Sequence, residues 1–233
     1  MLTPLLSCAR DLLEDRLSAR ELFTRTGVDL LLAQVPGTRD PFGTPYPAYM
    51  MEATATRDGA GLAARMEEFL AEATERGLIT DALPALDHPQ AQALWALREA
   101  LPEAEKRSGG AVKHDVGLPL SAVADFVTAA ERRLTDRHSE LSVNVFGHVG
   151  DGNVHFNVLA AQGIDRVEVS ALVHQVVAEF GGSISGEHGI GVFKADALVA
   201  AKSPVELALL RTVKDALDPQ GIMNPGKMLL SWA

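Results

Sequence analysis

The sequence predicts an α+β fold in which an antiparallel sheet carries helices packed on one face. Three observations predict it. Apolar residues recur at helical spacing in several separate stretches, short extended segments lie between those stretches, and residues 142–159 (SVNVFGHVGDGNVHFNVL) alternate with period two on both sides of a turn signal. The last pattern marks a hairpin, so at least part of the sheet is antiparallel.

Taken in order, a helical start leads into the turn-rich stretch from Pro36 to Pro47, expected to be an ordered loop. Ala48 to Thr56 follows as the first strand. Leu62, Met66, Phe69, Leu70 and Ala73 then mark a helix that Gly77 can end. Asp87 can cap the next helix, which carries Leu94, Leu97 and Leu101, and AVKHDVGLP supplies an extended segment closed by Pro119. Val123, Phe126, Val127, Ala130 and Leu134 form the stripe of a further helix, after which the hairpin begins. Two more helices are expected, one through Val169, Leu172, Val173, Val176, Val177 and Phe180 and one over 204–217, before the tail DPQGIMNPGKML.

Composition excludes several function classes. A net charge of −10 opposes nucleic acid and anionic membrane surfaces, and no basic cluster offsets it. No apolar run approaches the roughly 20 residues of a membrane span, so a soluble, cytoplasmic protein is expected. Cys8 is the single cysteine, which leaves histidine and carboxylate as the available metal ligands.

With Asp151-Gly152 at the centre of a type I′ turn, the hairpin register sets His148 opposite His155. Opposed residues have Cβ atoms about 5 Å apart, close enough for two imidazoles to share an ion. Alternation then assigns Val143, Val145, Val154, Phe156 and Val158 to a core face and Asn144, Phe146, His148, His155 and Asn157 to an open, mostly polar face. A second stretch, GGSISGEHGIG, places Glu187 and His188 among glycines that permit close backbone approach. Glu187 completes a two-histidine, one-carboxylate set suited to a divalent metal with open positions, and His188 is left to act as a base.

FGHVGDGNVHFNV, SGEHGIG and LDPQGIMNPGKM, with LSARELF and VPGTRDPF nearer the start, resemble the C-terminal domain of the FAD-linked oxidases. That family includes D-lactate dehydrogenase, the flavin subunit of glycolate oxidase and D-2-hydroxyglutarate dehydrogenase. The resemblance runs over nearly the whole chain and implies a ferredoxin-like cap domain spanning 1–233, with the FAD-binding domain outside it, either in frame before it or on a separate chain. It implies zinc or manganese on His148, His155 and Glu187, His188 as the general base, and Arg98, Lys113 and Asn157 as substrate contacts. It also implies that Asn224 and Lys227 face the flavin. Relatives that act on 2-hydroxyglutarate carry a threonine one turn after the arginine; Pro102 stands there in this chain, which counts against a substrate with a second carboxylate.

The reaction implied is oxidation of a small D-2-hydroxyacid to a 2-oxoacid with hydride transfer to FAD. Read from the residues alone, two other classes stay open: a metallohydrolase in which the same set activates water, and a non-catalytic binding module. The surface facing the flavin domain is expected to be exposed in the isolated chain and able to self-associate.

Overall fold

A computed structural model describes residues 2–54, 61–159 and 163–229. The elements run α1 (Leu2–Leu13), β1 (Leu17–Thr24), α2 (Arg25–Gln34), β2 (Ala48–Thr54), α3 (Leu62–Glu75), α4 (His88–Arg107), β3 (Ala111–Val112), β4 (Asp115–Gly117), α5 (Val123–Arg137), β5 (Ser142–His148), β6 (Asn153–Leu159), α6 (Arg166–Glu179), α7 (Ala195–Ala201) and α8 (Pro204–Leu217). The six strands form one sheet in the order β2-β1-β5-β6-β3, with β4 also on β6, and every pairing is antiparallel. This is the α+β class expected.

Val143 and Val145 of β5 and Val154, Phe156 and Val158 of β6 bury one face against α5 and α6. Phe126 and Phe156 meet edge to face, with ring centroids 5.4 Å apart. That geometry adds about 1 kcal/mol beyond the area buried. On the same side, α1 and α3 close a smaller cluster of Leu5, Ala9, Leu13, Phe69 and Ala73 over Leu17 and Met50.

The opposite face is not fully open. Leu101 and Ala104 of α4 and Val28 and Leu31 of α2 cover Phe23, Tyr49 and Phe146. The polar face therefore emerges only at one end of the sheet, and the residues on it are buried: Asn144, Asn157 and His155 are 0%, 2% and 8% exposed.

The hairpin register is displaced by two residues from the expected one: His155 opposes Phe146, and Asn157 opposes Asn144. Residues 149–152 make the reversal, wider than a two-residue turn because the Asp151 carboxylate accepts the Asn153 N–H at 3.0 Å and Gly152 is tied to Leu118, whose N–H donates to its carbonyl at 2.9 Å. Gly152 has φ +82°, and a Cβ there would lie 2.1 Å from the Leu118 carbonyl oxygen, so glycine is required. A slip of two keeps every side chain on its face. His148 and His155 thus remain neighbours, now diagonal.

Two elements depart from expectation. β1 precedes the strand expected as first, and 55–56, its expected end, lie outside the described residues. α7 was not anticipated; at seven residues it is too short to show a period. The loop before β2 is ordered as expected, with Arg25 bound to Asp40 and Tyr49.

β3 and β4 keep one register along β6 and are separated where the Asn157 side chain takes the His114 N–H at 3.3 Å. The His114 ring turns to the apolar side, with Nδ1 on the Phe156 carbonyl at 2.9 Å and Nε2 on the Ser170 hydroxyl at 3.1 Å. Burial pushes its pKa down to about 4, with His174 and Lys194 adding repulsion and the Phe156 carbonyl opposing. Because the folded pKa is depressed, the neutral ring's contribution is complete above about pH 6.5 and is lost as pH falls towards 4. We expect urea stability to decline over that window, and His114→Asn to remove up to about 1.4 kcal/mol per pH unit from the slope. Identical slopes in the two chains would contradict this account of His114.

Candidate metal centre

The site is built where β5, β6 and β1 meet the loop after α6. Glu21 on β1 lies directly opposite His148 on β5, and His155 on β6 opposes Phe146 on one side and Asp115 on the other. Side chains alternate along a strand, so all these residues look to the polar face.

Glu187 and His188 reach this face because Asp115 holds their backbone. Its carboxylate accepts the N–H groups of Gly186 at 3.1 Å, Glu187 at 3.0 Å and His188 at 2.8 Å, and the Asn153 amide at 2.6 Å. Burial alone would raise the Asp115 pKa, but the donors from His188, Asn153 and Glu187 outweigh it and hold the group below the usual carboxylate range. The approach is close enough that a Cβ on Gly186 would sit 1.9 Å from the Asn153 amide nitrogen. Backbone bonds between Gly117 and Ser183, at 3.0 and 2.7 Å, fasten the loop further back.

Glu187 is thereby brought between the histidines: Oε1 lies 3.3 Å from His155 Nε2 and Oε2 lies 3.9 Å from His148 Nε2. One ligand atom from each of the three lies within 4.8 Å of the others. Burial keeps the His155 pKa below the usual imidazole range, more than the nearby carboxylates raise it, so its ring offers a lone pair at neutral pH. Two imidazole nitrogens and a carboxylate converging in this way fit a divalent cation. Asp115, His155 and His188 form a second, overlapping group. Asp115 has committed its oxygens to N–H donors, so the first group has the freer lone pairs. His188, 63% exposed, stacks on His155 with centroids 5.4 Å apart and sets Nε2 3.4 Å from Glu187 and Nδ1 3.8 Å from Asp115.

The other expected residues divide into three places. Arg98 on α4 joins the cluster: its guanidinium lies 4.7 Å over the Phe146 ring and its Nε donates to Glu21 at 2.6 Å, while Glu21 also binds His148 Nδ1. Lys113 and Asn157 instead meet at Glu105, a fully buried carboxylate that lies 3.4 Å from the lysine and accepts the Asn157 and Asn144 amides at 2.9 Å. Asn224 and Lys227 are exposed in the tail, which is joined to the site loop where the Met228 N–H donates to the Gly191 carbonyl at 2.8 Å. The turn that carries them is held by Asp218, whose carboxylate accepts the Ile222 and Met223 N–H groups at 3.0 and 2.9 Å.

Glu21, Asp115 and Glu105 were missed. Each is a carboxylate within or beside a strand or core helix, and the only signal was an acid where an apolar residue would ordinarily stand. If Asp115 carries the loop, Asp115→Asn should cost about 2 kcal/mol or more and speed amide hydrogen exchange at Gly186, Glu187 and His188. Unchanged exchange at those three amides would contradict the anchoring role.

Residues 2–228 match the family model of FAD linked oxidases, C-terminal domain. The chain is 35% identical over 232 residues to a mitochondrial D-2-hydroxyglutarate dehydrogenase of Arabidopsis thaliana, covering 96% of this chain and 41% of that protein. It is 37% identical over 220 residues to a D-2-hydroxyglutarate dehydrogenase of Xanthomonas citri pv. viticola, covering 91% and 46%. Among solved structures, 4-ethylphenol oxidase from Gulosibacter chungangensis superposes with a TM-score of 0.62 at 17% identity, over 98% of this chain and 51% of that one, a likeness of fold. The chain therefore spans less than half the length of these curated relatives, and it belongs to the C-terminal domain family of the FAD-linked oxidases.

Proposed function

We propose that this chain is the substrate- and metal-binding part of a flavin-dependent D-2-hydroxyacid dehydrogenase, with FAD held mainly by a further domain. The observation that carries the reading is the convergence of His148, His155 and Glu187 beside Arg98 on one end of a sheet face. The names of the Arabidopsis and Xanthomonas relatives support the reaction class.

His148, His155 and Glu187 would hold zinc or manganese; the ion supplies Lewis-acid polarisation of the substrate hydroxyl, and FAD supplies the hydride acceptor. Arg98 has given its Nε to Glu21, and among the described residues its Nη groups have no hydrogen-bond partner, so they are available to a substrate carboxylate. His188 receives the hydroxyl proton at Nε2, and Asp115 near Nδ1 steadies the resulting imidazolium. Lys113, held by Glu105, offers its cation to the remainder of the substrate, and Asn157, buried with its amide on Glu105 and its carbonyl on the His114 N–H, supports that acid from behind. Pro102 lines the surface groove that Lys113 shares with Lys106 and Arg166, and it presents no donor where a threonine would. That favours a hydroxyacid with one carboxylate, of the D-lactate or glycolate kind.

The flavin domain has a surface to meet. Val205, Leu209, Val213 and Leu217 make an exposed apolar stripe along α8, and Phe193, Ile222 and Met223 are exposed near the site loop and tail. An apolar area of this kind is covered in the working protein, by the flavin domain in this reading and by a second copy otherwise. No helix among the described residues is long and apolar enough to cross a membrane. Against the cytoplasmic location expected from the sequence, the Arabidopsis relative is named as mitochondrial.

The test is binding of D-lactate to the zinc-loaded chain by calorimetry. We expect Arg98→Lys, which keeps the charge and loses the planar fork, to weaken binding about tenfold or more, and His188→Ala to bind normally. Turnover surviving His188→Ala once a flavin domain is supplied would overturn the base assignment. Ester hydrolysis by the zinc-loaded chain alone would favour the metallohydrolase.

A further inference from the structure

We propose that Glu21 is a positioning residue that fixes both His148 and Arg98, holding the metal-binding and substrate-binding groups in one register; this rests on the metal reading above. Glu21 lies inside the protein, with its side chain 2% exposed, and spends one oxygen on each partner: Oε1 on His148 Nδ1 and Oε2 on Arg98 Nε at 2.6 Å. The link comes from backbone register. Glu21 and His148 are paired residues of β1 and β5, so the carboxylate and the imidazole leave the sheet side by side. Arg98 arrives from α4 with its guanidinium carbon 4.7 Å from the ring centroid of Phe146, two residues before His148.

The chemistry of the three groups leaves little freedom. A guanidinium Nε–H can only donate, so the oxygen facing Arg98 must accept. The other carboxylate oxygen accepts as well, which requires the proton of a neutral His148 to sit on Nδ1 and leaves the Nε2 lone pair directed towards Glu187. A carboxylate behind a histidine ligand sets its tautomer and ring orientation, and its loss costs about 10- to 100-fold in metal affinity. Here the same carboxylate also aims the arginine.

Glu21→Gln tests this with almost no change of shape. Arg98 still needs an acceptor, so the amide oxygen must turn to it. The amide NH2 then faces His148 Nδ1 and can only donate, which forces the ring proton onto Nε2. Long-range 1H–15N NMR of the imidazoles in the 233-residue chain reads the tautomer directly, with His148 assigned by its loss in His148→Asn. We expect Nδ1–H in the wild type, Nε2–H in Glu21→Gln, and zinc affinity about 10- to 100-fold weaker in the variant by competition titration. A wild-type His148 carrying its proton on Nε2, or a variant with unchanged tautomer and zinc affinity within about twofold, would overturn the proposal. The wild-type spectrum decides by itself should the variant fail to fold. Tautomers that switch as stated in a chain that binds no zinc would support the positioning role and overturn the metal reading alone.

Discussion

Three successive backbone N–H groups, from Gly186 to His188, point at the carboxylate of Asp115, which is itself sealed between β6 and the loop. The rest of the site depends on that contact. The loop packs only Ile184 and, in part, Ile190 against the core, and its glycines carry the largest entropic cost of ordering. A buried anion that receives several N–H groups offsets that cost, since charge-assisted bonds are about twice as strong as neutral ones. Once the loop is fixed, Glu187 is delivered to the two histidines, and His188 is left over the same end of the sheet.

The two faces of the sheet divide the work. One buries valine, leucine and phenylalanine under α5 and α6 and supplies cohesion. The other, beside the aromatic cluster under α2 and α4, buries carboxylates, amides and imidazoles, each of which must find a partner or cost stability. Glu105 gathers Lys113, Asn144 and Asn157, Glu21 gathers Arg98 and His148, and Asp115 gathers the loop and Asn153. Three acids thus organise the polar face.

Much of this was legible in the sequence because alternation along the hairpin is a local property. It assigned Val143 through Val158 to the core face and the histidines to the other, and a register error of two residues did not disturb that assignment. The register itself was not legible: Asp151 and Leu118 widen the reversal, and Leu118 is distant in sequence. β1 escaped notice for a related reason. Its residues Arg20 and Glu21 interrupt any apolar alternation, and Glu21 is enclosed by a strand and a helix that come more than 70 residues later. The placing of Lys113 and Asn157 on Glu105 likewise needed the path of α4, which no local pattern contains.

The central claim is that two imidazoles from the hairpin region and one carboxylate from the loop share a single ion. X-ray absorption at the zinc edge of the zinc-loaded chain tests it most directly. The account predicts two imidazole nitrogens at about 2.0–2.1 Å with carboxylate and water oxygens completing the shell. A shell without imidazole scattering, or one unchanged when His148 and His155 are both replaced, would contradict it.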